Sequence, residues 1–370
     1  MKHYILTLLC LVLSSFSYSQ IDVSVSSLSG YESNILRAPN QIFIDDELLS
    51  EDEIYKSSFY QDIVGHLKYK KEARKSLFKI SVKPQKRFFF SESESNRLIA
   101  DFKLTYRLDI GKNSSWENST QYFIKDQNGL DADENELGTT FGYNVVNLDS
   151  KLNFRLFENN RSFIGAHYGK KNFDPTETRE VSYYKYGVNA GFKTVKWKNH
   201  LLRSSGINAS FIQRQYNIET VNEDDDFNKE HRTWNLLSVR GFYKMQLSKT
   251  ITIYPSLAYT KRLDLSDDRF GYNEITPKLY VSYSKEKLNL SLLASYAKRN
   301  FTDLIVNDND LLSYDYLRLK CNTSYKFSNH WSFVSQAYFI DRGSNNENLS
   351  SMIFRSYNNY YLGIGLKYTF

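Results

Sequence analysis

Histidines are the residues of this sequence that most directly raise the question of catalysis. Beyond residue 20 they are His66, His167, His200, His231 and His330. Only His66 and His167 fall inside strand-like segments, where a serine–histidine or aspartate–histidine hydrolase site could be built. The sequence has no Gly-x-Ser-x-Gly, His-Glu-x-x-His or glycine-rich phosphate-binding motif. We therefore expect polar interior histidines, no enzyme activity and no cofactor.

Basic residues offer a different chemistry, the attraction of anions. They recur on the polar face of segments in which polar and apolar residues alternate. The expected members of this face are Lys103, Arg107, Lys151, Arg155, Arg240, Lys244, Lys278, Arg318, Lys320 and Lys367. If this face lines a wet lumen, it favours anionic solutes or acidic polysaccharide. The alternative is that these cations pair with acids on the same face, namely Asp101, Asp109, Asp149 and Glu274, and only fill the interior.

Acidic runs are the third group of candidates. They are Asp45-Asp46-Glu47, Asp131–Glu136 and Glu223–Asp226. Their oxygens could hold Ca²⁺ or Mg²⁺ that bridges lipopolysaccharide, but none has the glycine and distal glutamate of a calcium loop. We expect solubilising loops and no metal site. Nucleic acid is not an expected partner, because the basic residues alternate within strands and form no patch.

Long β-strands must position all these residues. From Leu98 to Ile110 the even positions are apolar or aromatic and most odd positions are polar, and the same period recurs over 146–156 and 317–325. Helical periodicity is hard to find. An ordinary β-sandwich has strands of about 5–6 residues, which is shorter and less charged than these.

The last strand carries the strongest signal of architecture. Its outward positions are Tyr360, Leu362, Ile364, Leu366, Tyr368 and Phe370. A strand at a chain end leaves an open edge unless another strand pairs with it, and no open edge is tolerated in lipid. The sequence therefore predicts an all-β, transmembrane, antiparallel up-and-down β-barrel.

Connections between the strands alternate between short turns and mostly longer, often acidic loops, an asymmetry typical of outer-membrane barrels. Counting the segments predicts about 16 strands, with about 14 or 18 as alternatives, and both termini on the periplasmic side. Pro84, Pro255 and Pro277 fall inside proposed strands, where each removes a ladder donor. Residues 41–55 could form an extra strand or a loop that folds inward.

The N-terminus resembles a secretory signal. A basic start at Lys2 and His3 precedes an apolar run over residues 4–13, and Ser17-Tyr18-Ser19 offers a cleavage site. We expect a signal peptide over residues 1–19 and one barrel domain over residues 20–370. Cys321 would be the one remaining cysteine, which excludes an internal disulfide. Aromatic residues make up 16% of the chain, as in barrels with aromatic girdles at two lipid–water boundaries.

Across the whole mature segment the sequence resembles Gram-negative outer-membrane β-barrel proteins. Leu366, Tyr368 and Phe370 match the alternate positions of the C-terminal strand by which the barrel-assembly machinery recognises that class. The cleavage site beside Gln20 and the Tyr/Asn/Lys-rich composition are similar to proteins of the Bacteroidota. Residues 30–39, Gly-Tyr-Glu-Ser-Asn-Ile-Leu-Arg-Ala-Pro, resemble the opening of barrels linked to exopolysaccharide or surface-lipoprotein export.

These features predict a porin-like pore or transport channel in the cell outer membrane, in contact with lipid and lipopolysaccharide. Flux would depend on the basic lumen and on the loop over residues 36–58 if it folds inside. One alternative is a surface-assembly or export barrel that works with periplasmic partners on polysaccharide or lipoprotein. The other is a barrel hydrolase that uses His167 or His66.

Overall fold

A closed antiparallel barrel dominates the computed structural model, which describes residues 19–44, 47–129, 131, 139–177, 179–198, 201–221, 227–267, 269–350 and 355–370. Within these ranges 16 strands form the barrel. They are β1 (Ser19–Glu32), β4 (Ser58–Ala73), β5 (Ser76–Phe89), β6 (Arg97–Asp109), β7 (Ser115–Asp126), β8 (Tyr143–Phe154), β9 (Asn160–Phe173), β10 (Arg179–Lys198), β11 (Leu201–Val221), β12 (Phe227–Gln246), β13 (Ile251–Asp264), β14 (Tyr272–Lys285), β15 (Leu288–Val306), β16 (Asp310–Lys326), β17 (Trp331–Ser344) and β18 (Tyr357–Thr369).

Smaller elements lie in the connections. A two-stranded hairpin is formed by β2 (Ile42–Ile44) and β3 (Glu47–Leu49), and the short helix α1 (Glu51–Ile54) follows it. A 3-10 turn covers Ser93–Ser95. In the described part of the chain, no helix has the length and apolar character needed to cross a membrane.

Closure comes from pairing of the first and last barrel strands. The register runs from Ser24 opposite Thr369 to Glu32 opposite Tyr361, and the Phe370 amide donates to the Val23 carbonyl at 3.0 Å. Every other barrel strand pairs with its neighbours in sequence. No barrel strand among the described residues is left with an open edge, which is the requirement that the last strand imposed. The predicted architecture and the count of about 16 strands are confirmed.

Alternation assigns the two faces of the wall as the sequence analysis expected. Phe102, Leu104 and Tyr106 of β6 are each about 40% exposed, although their side chains are apolar or aromatic. Because successive side chains of a strand point to opposite faces, the alternate residues Lys103 and Arg107 face the interior. The outer surface therefore carries an apolar belt that water would solvate poorly.

Exposed aromatic residues mark both margins of this belt. Near the short turns they are Trp116, Phe157, Trp197, Phe327 and Trp331, and near the long loops they are Phe59, Phe88, Phe90, Tyr184 and Tyr360. Amphipathic rings of this kind favour a boundary between an apolar and an aqueous medium.

Each of the three prolines within strands lies where the strand pairs with only one of its two neighbouring strands. Pro84 pairs with Ala100 on β6, whereas the pairing of β4 with β5 stops at Val64 and resumes at Leu67. Pro255 and Pro277 show the same one-sided pairing. Proline lacks an N–H to donate, so the local loss of one ladder accommodates it within a strand.

The first long loop, residues 33–57, is folded and anchored. Within α1's capping turn the Ser50 amide donates to Glu53 Oε2 at 2.8 Å. The Tyr55 hydroxyl donates to Asn40 Oδ1 at 2.6 Å, and burial raises the pKa of this phenol to about 12, so the donor proton stays in place. Residues 41–55 thus add no strand to the barrel and form the β2–β3 hairpin and α1 instead.

Candidate functional site: the barrel interior

The two strand histidines occupy different environments. His167 Nδ1 lies 2.6 Å from Asp149 Oδ1, whereas His66 Nε2 lies 3.4 Å from Ser81 Oγ. In the described part of the chain, the buried Nε2 of His167 has no hydrogen-bond partner. Among the described residues, no serine hydroxyl is therefore within hydrogen-bond distance of the histidine–aspartate pair, and they form no nucleophile–base–acid arrangement around it. His200 lies outside the described residues, and His330 lies in the turn before β17. His231 was not expected in a strand, but it lies within β12 opposite Asn217, because the strand extends further into the long loop than the sequence pattern indicated.

The structure distributes the ten predicted basic residues along the strands. Lys151 and Lys244 line one interior cavity, whereas Arg107 and Arg155 line a smaller one at the short-turn rim. The guanidinium of Arg318 lies 4.9 Å from the ring centre of Tyr316. The other five occupy strand positions Lys103, Arg240, Lys278, Lys320 and Lys367.

The four acids expected to neutralise these cations do so only in part. Asp109 accepts from Arg107 at 2.8 and 3.0 Å. Glu274 pairs with Arg299 at 2.8 Å, and Arg299 was not among the predicted basic residues. Asp101 accepts from the neutral Gln121, and Asp149 is engaged with a histidine. Neutralisation by these acids thus accounts for one of the ten predicted cations.

A cavity of about 700 Å³ occupies the short-turn half of the interior. We call it the short-turn cavity. Its cationic lining residues are Lys151, Arg161, Lys193 and Lys244. No aspartate or glutamate is among its described lining residues. Lys151 Nζ lies 3.8 Å from the ring centre of Phe163, so an aromatic ring, and not a carboxylate, faces this ammonium group.

A second cavity of about 210 Å³ lies at the long-loop end. We call it the long-loop cavity. Its lining combines four cationic side chains, five aromatic side chains and one threonine: Lys171, Arg214, Arg262, Arg299, Phe173, Tyr183, Tyr216, Trp234, Tyr272 and Thr139. Again the described lining contains no carboxylate. The strands bring these residues together by register, since Lys171 is opposite Tyr183 and Arg214 is opposite Trp234.

Aromatic rings form a continuous row along the wall at this level. Seven rings follow one another with centroid separations of 4.6–6.3 Å. In order they are Phe123, Tyr143, Phe173, Tyr183, Tyr216, Trp234 and Phe270. The four pairs from Phe173 to Phe270 meet at interplanar angles of 51–68°. Edge-to-face and tilted contacts of this kind stabilise the row.

Cations sit on the faces of these rings. The guanidinium of Arg262 lies 4.1 Å from the ring centre of Trp234 and 4.3 Å from that of Tyr272. Lys171 Nζ lies 3.7 Å from the ring centre of Tyr143. Each cation–π contact contributes about 0.5–2 kcal/mol. The rings, together with the Phe270 carbonyl that accepts from Arg262 Nε at 2.6 Å, thus hold these side chains in fixed positions.

Two donors of the long-loop cavity are unused. Trp234 is 2% exposed, and its indole Nε1 has no hydrogen-bond partner in the described part of the chain. The same holds for Nε of Arg214. A buried donor without a partner costs about 1–3 kcal/mol. Both residues line the cavity, so these atoms are buried donors without a partner in its wall.

An entirely different arginine site lies on the wall formed by β1, β4 and β5. Arg87 donates from Nε and Nη2 to the two oxygens of Asp62 at 2.7 and 2.6 Å, and Nη1 lies 2.5 Å from Glu32 Oε2. Its guanidinium also lies 3.7 Å from the ring centre of Tyr60. All three charged side chains are at most 5% exposed. We call Arg87, Asp62 and Glu32 the buried network.

The start of the first long loop bridges part of the barrel mouth. Ile35 packs against Tyr60 and Phe89 on the β4–β5 wall. Two residues later, Arg37 Nη1 lies 3.2 Å from Asp131 Oδ1, in the loop after β7. The Ser33 amide donates to the Tyr360 carbonyl and the Asn40 amide to the Ser356 carbonyl, so the segment leaves the β18 side of the barrel, contacts the loop after β7 at the mouth, and returns.

The cations and rings of the long-loop cavity were not among the predicted site residues. Their signal was strand parity: Tyr183 alternates with the outward Tyr184 and Tyr186, so an aromatic residue occupies the inner face as well. The acidic runs fall largely outside the described residues. In the described part of the chain, no cluster of three or more metal-ligating side chains is present.

No protein-family model matches this sequence, and no curated protein matches it. Solved structures to which the chain is similar include Acinetobacter baumannii OccAB3, at 10% identity over 95% of this chain and 100% of that one, with a TM-score of 0.48. The outer membrane channel DcaP of the same organism gives 11% identity, 96% and 98% coverage and a TM-score of 0.46. A bacterial polysaccharide outer membrane secretin gives 10% identity over 95% of this chain and 98% of that one, with a TM-score of 0.43. At such identities no residue role or substrate is carried over.

Proposed function

We propose that this protein is an outer-membrane channel that passes small anionic solutes through its lumen. The observation that carries the proposal is the lining of the short-turn cavity and the long-loop cavity, which together contribute eight lysine and arginine side chains and no described carboxylate (four cations from each cavity). The cavity at the short-turn rim also has more cations than carboxylates, with four of the former against Asp109 and Glu117. Rings of Lys and Arg favour anions in pores.

The barrel supplies the setting for this chemistry. Its outer belt is apolar with aromatic margins, which fits a hydrocarbon layer between two aqueous boundaries. Barrels with 16–18 strands have room for an aqueous channel. If the short turns face the periplasm, as in outer-membrane barrels generally, the long-loop cavity lies toward the cell exterior and the short-turn cavity toward the periplasm.

A narrower role in export of acidic polysaccharide is supported by one placement. Residues 30–39, which carry the family-like pattern, form the end of β1 and the segment at the mouth. A polymer leaving the lumen would pass this segment. Replacement of Arg37 by Glu should then reduce export of an acidic polymer more than uptake of a small anion, and equal effects on both would contradict the export role.

Liposome swelling tests the channel directly. Vesicles that contain the refolded barrel should swell faster in glucuronate than in glucose or glucosamine, which have similar sizes but neutral and positive charge. Vesicles without protein provide the control. The absence of swelling with a folded barrel, or faster swelling in glucosamine, would overturn the proposal.

A further inference from the structure

We infer that the long-loop cavity is a binding site for an anionic sugar, that is, one pyranose ring that bears a carboxylate or phosphate group. This inference deepens the proposed function, because it names the class of solute that the channel would retain on its path. It also stands on contacts of its own.

Charge is the first requirement that the cavity sets. Four cations line a space of about 210 Å³ whose described lining has no carboxylate. Arg299 has its partner Glu274 outside that lining, whereas Arg214 has no carboxylate within salt-bridge distance in the described part of the chain. The planar guanidinium fork matches the oxygens of carboxylate and phosphate groups. An oxyanion is therefore the group that this lining recognises.

Hydrogen bonding is the second requirement. The wall presents the hydroxyls of three tyrosines and one threonine in addition to the cations, and the indole Nε1 of Trp234 and Nε of Arg214 lack acceptors. A bare hydrocarbon ring could not satisfy such donors. A ligand with several oxygen atoms around its body could accept hydrogen bonds from Trp234 Nε1 and Arg214 Nε, and would remove the cost of leaving these two donors unpaired.

Shape is the third requirement. Tyr183, Tyr216 and Trp234 meet at angles of 51° and 56°, so they offer no pair of parallel faces between which a flat arene could stack. Their surfaces instead suit the puckered C–H face of a sugar, whose partial positive charge complements an aromatic face. The volume is smaller than the roughly 300–1,000 Å³ of pockets for drug-sized ligands, and it therefore limits the occupant to a single ring-sized unit.

Isothermal titration calorimetry on the full-length barrel in detergent tests the inference. The probes are glucuronate, glucose 6-phosphate, glucose, inorganic phosphate and benzoate. Binding of at least one anionic sugar, with glucose and inorganic phosphate about tenfold weaker or worse, supports the site. Tighter binding of one anionic sugar than the other identifies the charged group as carboxylate or phosphate. Equal binding of glucose, equal binding of inorganic phosphate, or tighter binding of benzoate would overturn it.

Two variants place the binding in this cavity. Arg214→Gln should weaken the anionic sugar about tenfold or more, because it removes a charge-assisted donor. Trp234→Phe keeps the ring and removes one neutral donor, so a loss of roughly threefold to tenfold is expected. Arg74→Gln, in the exposed turn between β4 and β5, is the matched control and should bind like the wild type.

Folding of each variant is checked by its heat-dependent migration on electrophoresis. Should Arg214→Gln fail to fold, Trp234→Phe carries the test alone, and unchanged affinity in a folded variant overturns the site. Because calorimetry in detergent needs no flux, the two proposals can fail separately. Conductance without sugar binding would rule out the proposed sugar site, whereas sugar binding without conductance would rule out the proposed channel function.

Discussion

Two arginine sites inside the same barrel differ in what surrounds the guanidinium groups. In the buried network, Arg87 stacks on Tyr60 and two carboxylates consume its donors. In the long-loop cavity, the guanidinium of Arg214 lies 5.3 Å from the ring centre of Tyr183, and the described lining has no carboxylate. The same residue types are therefore used once to join strands and once to keep positive charge facing an open space.

The comparison teaches that stacking on an aromatic ring fixes a guanidinium, while the carboxylates decide its role. A buried, fully paired arginine has a structural role, because carboxylates within the wall neutralise its charge. An arginine that lies beside a ring and has no carboxylate partner, such as Arg214 among the described residues, retains its attraction for a diffusible anion. The predictions below test this distinction, starting with the largest expected effect.

Arg87→Met should lower the free energy of unfolding by about 3–5 kcal/mol, since it leaves Asp62 buried without its cation and leaves Glu32 with only the longer contact to Arg97, at 3.7 Å. Urea titration of the barrel in detergent measures the change. The matched control is Arg107→Met, which removes an ion pair with Asp109 whose side chains are 44% and 45% exposed. Such a pair contributes only about 0–1 kcal/mol. Equal losses in the two variants would show that the network has no special role.

Lys193→Glu combined with Lys244→Glu should weaken anion selectivity strongly, because it changes the charge of the short-turn cavity lining from four positive groups to two positive and two negative. The ratio of anion to cation permeability in planar bilayers is the readout. Lys75→Glu combined with Lys249→Glu, both in exposed turns, controls for the same change in overall charge. An unchanged ratio in the double variant would mean that the cavity cations do not act on permeating ions.

Arg214→Met should lower the free energy of unfolding by only about 1 kcal/mol, the size of its contact with Tyr183. No carboxylate is left unpaired by this change, in contrast to Arg87→Met. The same urea titration compares the two variants. A loss as large as that of Arg87→Met would contradict the assignment of this arginine to a ligand site.

Arg37→Ala should have the smallest effect on stability, below about 1 kcal/mol, because its ion pair with Asp131 is partly exposed. It should nevertheless raise single-channel conductance, since the segment at the mouth loses its ion pair with the loop after β7. Asp131→Ala removes the same pair from the other side and should reproduce the increase. If both variants conduct like the wild type, the segment does not limit the opening.

Strand parity was sufficient to predict the barrel, the approximate strand count and the outward residues. Alternation in β6 and in the last strand is a local property of the sequence, and closure follows from the need to pair every edge. The three prolines resisted prediction because the sequence does not show which side of a strand loses its ladder. The register around Pro84 answers this only once both neighbours are placed.

The interior site was harder to predict because it depends on partners far apart in sequence. Arg214 meets Trp234, and Lys171 meets Tyr183, through register between strands. Aromatic residues were assigned to the lipid boundaries, so those on the inner face were overlooked. Which cations are neutralised also depends on register: Glu274 reaches Arg299, and Asp62 reaches Arg87, although neither arginine was a candidate.

The reversal potential of the wild-type barrel in a planar bilayer, under a gradient of potassium chloride, tests the central claim most directly. The account predicts a potential with the sign of chloride permeation, because cations line the short-turn and long-loop cavities without a carboxylate among their described lining residues. A potential with the sign of potassium permeation, or a correctly folded barrel that passes no current, would contradict it.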